Sequence, residues 1–126
     1  MDKKKILVVD DELDALDAIK KRLQARNYLV VTISDAKKVS QVAQKEIPDL
    51  ILLDIIMPDM NGYEICELLK QNSQTRNIPI ILLTGERLEP KSITDRCLKL
   101  GANSFILKPI DIEVLFTEIE KVLNEK

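Results

Sequence analysis

Five short apolar runs recur along the chain: Ile6–Val9, Leu29–Ile33, Leu50–Leu53, Ile80–Leu83 and Phe105–Leu107. Runs of this length with polar neighbours read as strands buried on both faces. Between them, apolar residues return every three or four positions, the period of a helix with one buried side. The first such segment sets Leu13, Leu16, Ile19 and Leu23 on one face. It ends near Asn27, which suits the left-handed conformation that closes a helix. The second runs from about Asp35 to Glu46 and is stopped by Pro48. The third starts near Asn61-Gly62 and turns Tyr63, Cys66 and either Leu68 or Leu69 inward. The fourth spans roughly Arg87–Leu100 and is closed by Gly101. The fifth, Asp111–Asn124, takes Asp111 as its N-cap and turns Val114, Leu115, Ile119 and Val122 inward, with Phe116 left at an edge or facing solvent.

Strand and helix therefore alternate five times, which predicts a parallel sheet with helices on both faces. The alternation leaves the strand order open, but the residues that end the strands narrow it. Asp10 and Asp11 follow the first run, and Asp54 follows the third. Carboxylates gathered at one sheet edge are costly unless a cation or a reaction uses them. In the order 3-2-1-4-5 the third strand lies far from the first, and Asp54 cannot reach the other two acids. In the order 2-1-3-4-5 these strands are neighbours at the topological switch point, where ligands bind. If the acids cluster, the fold is a flavodoxin-like doubly wound (βα)5 sandwich of three layers. Thr84 ends the fourth strand, and Lys108 follows the fifth and precedes Pro109. Three acids, a hydroxyl and an ammonium at one edge suit a hard cation, Mg2+ in particular, together with a phosphoryl group.

The totals exclude several classes. The 126 residues match the usual size of one domain, and we expect a single domain over 1–126. A net charge of -2, with no basic run longer than the three residues of Lys3-Lys4-Lys5 and of Lys20-Lys21-Arg22, gives no footprint for nucleic acid. No apolar stretch approaches the roughly 20 residues that span a bilayer. Asp10-Asp11-Glu12 interrupts any signal-peptide pattern, so a cytoplasmic protein is expected. The chain contains no histidine, which removes imidazole acid–base chemistry, histidine metal ligands and a phosphohistidine on this chain. Cys66 and Cys97 belong to no C-x-x-C pair and read as small, reduced hydrophobes.

The strand-end motifs, taken in order, resemble the receiver domain of two-component response regulators. They are Val-Val-Asp10-Asp11-Glu12, Leu-Leu-Asp54-Ile-Ile-Met57-Pro58-Asp59-Met60-Asn61-Gly62, Leu-Leu-Thr84-Gly85, Gly101-Ala102 and Phe105-Ile-Leu-Lys108-Pro109. The resemblance implies that Asp54 is the phosphoacceptor, attacking a phosphohistidine of a sensor histidine kinase or a histidine phosphotransfer protein. It implies that Asp11, Asp54 and the backbone carbonyl of Ile56 bind Mg2+, with Asp10 acting through a metal-bound water. It further implies that Thr84 and Lys108 contact phosphoryl oxygens, that Lys108–Pro109 is cis, and that Phe105 is a switch aromatic. Such a chain catalyses only its own phosphorylation and dephosphorylation and is not a turnover enzyme. Its output face comprises the fourth helix, fifth strand and fifth helix, and its downstream target or attached output domain is left open.

Bland readings exist for each residue. Asp10-Asp11 can cap the first helix, Asp54 can be a turn residue, Lys108 a surface lysine, Thr84 a strand-end cap and Phe105 plain core. The joint spacing favours the receiver. Haloacid-dehalogenase-type phosphatases carry an acid two residues after the nucleophile, where this chain has Ile56. A nucleotide- or flavin-binding domain lacks support, since no Gly-rich loop follows the first strand and there is no tryptophan. An interaction module that is never phosphorylated conflicts with the intact acids, Thr84 and Lys108. Ile56 and Glu86 flank the water path in the family pattern, and an isoleucine there predicts a long-lived phosphoryl group. Asn103-Ser104 and an acid-rich last helix depart from dimerising relatives, so a monomer or weak dimer is expected. Ala15, Ala18 and Arg22 form a small-residue stripe that could admit a partner helix, although alanine is also simply a good helix former.

Overall fold

The computed structural model of the chain describes residues 3–55, 57, 62–85, 95 and 99–124. The strands are β1 (Lys5–Val9), β2 (Leu29–Ile33), β3 (Leu50–Asp54), β4 (Ile80–Thr84) and β5 (Ser104–Leu107). All pair in parallel, in the order β2-β1-β3-β4-β5. The described helices are α1 (Leu13–Ala25), α2 (Val39–Glu46), α3 (Gly62–Gln71) and a C-terminal helix (Ile112–Asn124). Most of the expected fourth helix lies outside the described residues, as do Ile56, Asp59, Met60, Asn61, Glu86 and Cys97.

The three central strands bury every residue except Lys5 at the start of β1, which is why their runs show no alternation. Side chains still leave each strand on alternate faces. Leu7, Val9, Ile51, Leu53, Ile80 and Leu82 join a core layer with α2 and α3. Ile6, Val8, Leu50, Leu52, Ile81 and Leu83 join the opposite layer with α1 and the C-terminal helix.

Helix ends fall where the sequence places them. Asn27 has φ 68 and Gly101 φ 81, both left-handed. Asp111 Oδ1 accepts the Glu113 amide at 3.0 Å, as an N-cap does. The second helix begins differently: Asp35 caps a short 3-10 turn (Ala36–Lys38), and α-geometry starts at Val39. The α3 alternative resolves to Leu69, which is buried with Ile65 and Cys66, while Leu68 is exposed.

Two core assignments need correction. Leu13 is 69% exposed, because it opens α1 at the rim of the sheet, and only Leu16, Ile19 and Leu23 reach the core. In the C-terminal helix Val114 is 48% exposed and Phe116 is buried, so the inward face keeps Leu115, Ile119 and Val122 and is turned by roughly 40° from the expected one. The larger aromatic surface gains more from burial, and the Arg26 guanidinium covers the ring at 4.1 Å from its centroid. Glu113 and Glu120 hold that guanidinium at 3.7 and 3.9 Å.

Candidate functional site

Strand register brings the strand-end residues together. Val9 pairs with Leu53, so Asp10 and Asp54 stand on the next rung of neighbouring strands. Asp54 in turn pairs with Leu83, and Thr84 with Leu107, which puts Lys108 one residue beyond Thr84. Alternation decides which way each points. Asp10, Asp54 and Lys108 continue the face covered by α1 and the C-terminal helix, whereas Thr84 continues the face of α2 and α3. The pocket therefore wraps over the carboxyl edge of the sheet.

The backbone fixes this edge firmly. The Ile55 amide donates to the Leu83 carbonyl at 3.0 Å and the Lys108 amide to the Thr84 carbonyl at 2.7 Å. The Gly62 amide donates to the Ile55 carbonyl at 2.6 Å, which seats the start of α3 on the end of β3. Lys108–Pro109 is cis, as the resemblance implies.

Asp10, Asp54 and Thr84 are buried, and Asp11 is more open to solvent. One carboxylate oxygen from each of Asp10, Asp11 and Asp54 lies within 4.8 Å of the others. Adjacent oxygens in an octahedron at about 2.1 Å from Mg2+ lie about 3.0 Å apart. The three acids would hold such an ion by drawing closer together, or by reaching it in part through water. The donor set, all oxygen with no histidine or cysteine, fits a hard cation. Ile56, the expected carbonyl ligand, lies outside the described residues.

Lys108 Nζ lies 3.2 Å from Asp54 Oδ1 and 3.5 Å from Asp10 Oδ2. Burial pulls its pKa down, but the charges and hydrogen bonds of Asp54, then Asp10, outweigh that and hold it above the ordinary value of 10.5. Asp10 has a second role, since its Oδ1 accepts the Glu12 amide at 3.0 Å and shapes the entry to α1. It does not cap the helix, since the N-cap of α1 is Glu12 and no side chain caps it; Asp10 braces the turn just before it, a use compatible with the metal-site reading. Phe105 is partly buried against the core layer of α2 and α3.

Gly62, which the sequence marks as the start of the third helix, stands under a tight steric constraint. A Cβ there would lie 2.5 Å from Ile55 Cα and 2.6 Å from the Asp54 carbonyl oxygen. Asn103 and Ser104 are likewise committed within the fold. Asn103 Oδ1 accepts the Ile80 amide at 3.1 Å, and Ser104 Oγ donates to Glu118 Oε2 at 2.9 Å.

The fold and pocket together define a doubly wound α/β protein with an acidic, lysine-paired pocket at its switch point. Residues 6–120 match the family described as response regulator receiver domain, and the chain belongs to that family. It is 36% identical over 122 residues to the response regulator PleD of Caulobacter vibrioides, covering 97% of this chain and 26% of that protein. It is 38% identical over 124 residues to the probable transcriptional regulator ycf27 of Cyanophora paradoxa, covering 98% of this chain and 50% of that protein. The chain thus spans half or less of the length of these relatives. Among solved structures, the chemotaxis response regulator CheY4 of Vibrio cholerae superposes with a TM-score of 0.88 at 30% identity, covering 96% of this chain and 99% of that one. A CheY-like receiver domain protein of Methanospirillum hungatei JF-1 gives 0.88 at 31% identity, covering 98% and 96%. Among the described residues, no helix is long and apolar enough to cross a membrane.

Proposed function

We propose that this chain accepts a phosphoryl group on Asp54 from the phosphohistidine of a sensor histidine kinase or histidine phosphotransfer protein, and acts as a switch rather than a turnover enzyme. The observation that carries the reading is the position of the Asp54 carboxylate, buried at the sheet edge, clustered with Asp10 and Asp11 and paired with Lys108. One Asp54 oxygen attacks phosphorus in line as the P–N bond to the donor imidazole breaks. Asp10 and Asp11, with Asp54 itself and the Ile56 carbonyl, would hold Mg2+, which supplies charge neutralisation on the transferring group.

The new group carries a charge of about -1.5 to -2. Lys108, already paired with Asp54, needs only a small reorientation to reach a phosphoryl oxygen. Thr84 donates its hydroxyl to another. Lys108 and Thr84 belong to β5 and β4 ends that share a hydrogen bond, so both strand ends feel the charge. Phe105, half-buried on β5, then turns further inward and changes the face formed by β5 and its neighbouring helices.

A groove of about 300 Å³ beside the pocket supports a helical donor. Ala15, Ala18 and Ile19 line one wall, and Pro109 and Ile110 the other, with Asp10 and Lys108 at its end. Small residues there allow a partner helix to approach Asp54 closely. Phosphohistidine donors are made from ATP, so we read the cytoplasm as the place of action. The output domain or downstream protein would follow the pattern of the longer relatives.

The test is incubation with acetyl phosphate and Mg2+, followed by intact mass. The wild type should gain one phosphoryl group and Asp54→Ala none. No gain with any donor would leave an interaction module that is never phosphorylated.

A further inference from the structure

A polar cavity of about 320 Å³ lies at the amino edge of the sheet, the end opposite the acidic pocket. Lys70, Arg76, Asn77 and Asn103 supply its polar lining, and Pro79 and Val122 its apolar part. Pro79 leads into β4 and Asn103 into β5, which fixes the end of the sheet. At about 3.3 Å per residue, the run from Ile80 to Thr84 sets this cavity roughly 13 Å from the carboxyl edge. Its size falls at the lower end of small-molecule sites, which run from about 300 to 1,000 Å³.

Both charged residues that line it are cations. In a chain with a net charge of -2 that is a local reversal of sign. Among the described residues, neither Lys70 nor Arg76 is ion-paired with a carboxylate. Lys70 Nζ donates to the carbonyls of Arg76 and Ile78, each at 3.0 Å. An ammonium has three donors, so one is left over. The ammonium is also held in place. A Cβ on Gly101 would touch Lys70 Cγ at 3.5 Å and Cδ and Cε at 3.6 Å, so the stem lies across that glycine. Burial is the first cause that pulls the Lys70 pKa down, against a smaller opposing effect of Cys66. A half-buried ammonium that meets only neutral carbonyls gains from an anion.

The amides point to the same ligand sign. Asn103 Oδ1 accepts the Ile80 amide at 3.1 Å, which leaves the Nδ2 donors for the cavity. The C-terminal helix ends two residues beyond Val122, and its carbonyl end opposes an anion. That end carries only about half a charge, against two full positive ones. A guanidinium pairs two oxygens of one group in its planar fork, and an ammonium takes a third. Three oxygens on one dianionic centre describe a phosphate better than a carboxylate.

We propose that this cavity binds a dianionic phosphate group, free or as a small monoester, with Lys70 and Arg76 on its oxygens, the amides of Asn77 and Asn103 donating at the rim, and Pro79 and Val122 against any organic part. The site shares no residue with the Asp54 pocket and stands whether or not Asp54 is phosphorylated.

Amide NMR of the isotope-labelled full chain tests it. Inorganic phosphate and glycerol 3-phosphate are titrated separately in EDTA, with sodium chloride adjusted to hold ionic strength. Shifts should centre on Asn77, Gly101 and Asn103 and saturate in the millimolar range. Tighter binding of glycerol 3-phosphate assigns a monoester, and equal binding assigns free phosphate. Arg76→Gln should weaken binding by about fivefold. It is the deciding variant, because Lys70→Gln also frees the two carbonyls that Lys70 holds. Shifts that grow linearly without saturation, shifts centred on Asp54 and Lys108 instead, or an affinity unchanged in Arg76→Gln would each overturn the proposal.

Discussion

Gly62→Ala is the sharpest probe of how the fold positions Asp54, the proposed phosphoacceptor. The added Cβ would stand 2.5 Å from Ile55 Cα, 2.6 Å from the Asp54 carbonyl oxygen and 3.1 Å from the Asp54 carbonyl carbon. Ordinary carbon contacts lie at about 3.5–4.0 Å, so the two backbones must part by about 1 Å. The β3 end cannot yield easily, because Ile55 is bonded to Leu83 on β4. The start of α3 cannot yield easily either, because Ile65, Cys66 and Leu69 anchor it in the core. Overpacking of this kind costs about 1–3 kcal/mol. That is survivable for a domain stable by about 5–15 kcal/mol. With an m-value of about 2 kcal/mol/M, the urea midpoint should fall by about 0.5–1.5 M. A displacement of about 1 Å at a reacting group can cost roughly 100-fold in rate. Phosphoryl gain from acetyl phosphate should therefore slow by one to two orders of magnitude, measured well below the midpoint, where the variant is folded. A variant with wild-type stability would refute the close-approach argument. A variant that is destabilised but phosphorylated at the wild-type rate would show that Gly62 serves packing alone and does not position Asp54.

Burial pushes the Cys66 thiol up to about 11 from 9.0, the first of its causes being loss of solvent. The folded state keeps this proton longer than the unfolded state, so stability should be full below pH 9 and fall as pH rises towards 11. Two pH units correspond to on the order of 2–3 kcal/mol, and Cys66→Ala should remove that slope in urea titrations run across the range. Iodoacetamide at pH 8 should modify Cys66 only after denaturation, as read by peptide mass; rapid native labelling would contradict its burial. Arg26→Ala removes the cover of Phe116 and two exposed ion pairs, and should cost about 1 kcal/mol in urea unfolding; an unchanged midpoint would show that the ring needs no cover. Ile56→Asn should speed loss of the Asp54 phosphoryl group, followed by intact mass over time, and an unchanged rate would remove the side chain at 56 as the cause of a long lifetime.

The sequence carried the strands clearly because buried parallel strands are apolar on both faces, and nothing else in a chain of this composition makes unbroken runs such as Leu50–Leu53. Strand order was legible only through chemistry, and the pairing of β1 with β3 bears out the condition that the acids cluster. The rotation of the C-terminal helix was not legible. Val114, Leu115 and Phe116 are consecutive apolar residues, so two inward faces roughly 40° apart, both containing Leu115, Ile119 and Val122, fit the same pattern. The choice between them is made by Arg26, which lies 90 residues earlier in the chain and meets the ring only in the folded state. Asn103 was unreadable for the same reason, since its partner, the Ile80 amide, is 23 residues away.

The candidate site shows why the strand-end residues could be read jointly when none could be read alone. Asp10 has a local use that a short window explains, since it accepts the Glu12 amide and shapes the entry to α1. Local use and shared use do not compete, because they employ different atoms. Asp10 Oδ1 accepts the Glu12 amide while Oδ2 faces Lys108. Bracing the turn before α1 therefore subtracts nothing from a metal-site role; by fixing the carboxylate, it lowers the cost of gathering charge at the pocket. The same argument applies across the sheet edge. Asp54 and Lys108 continue one face and Thr84 the other, so a group on Asp54 that engages both partners must straddle the edge and tie β4 to β5. A switch built on this pocket needs that straddling geometry, since contacts confined to one face would leave the other strand end unaware of the charge.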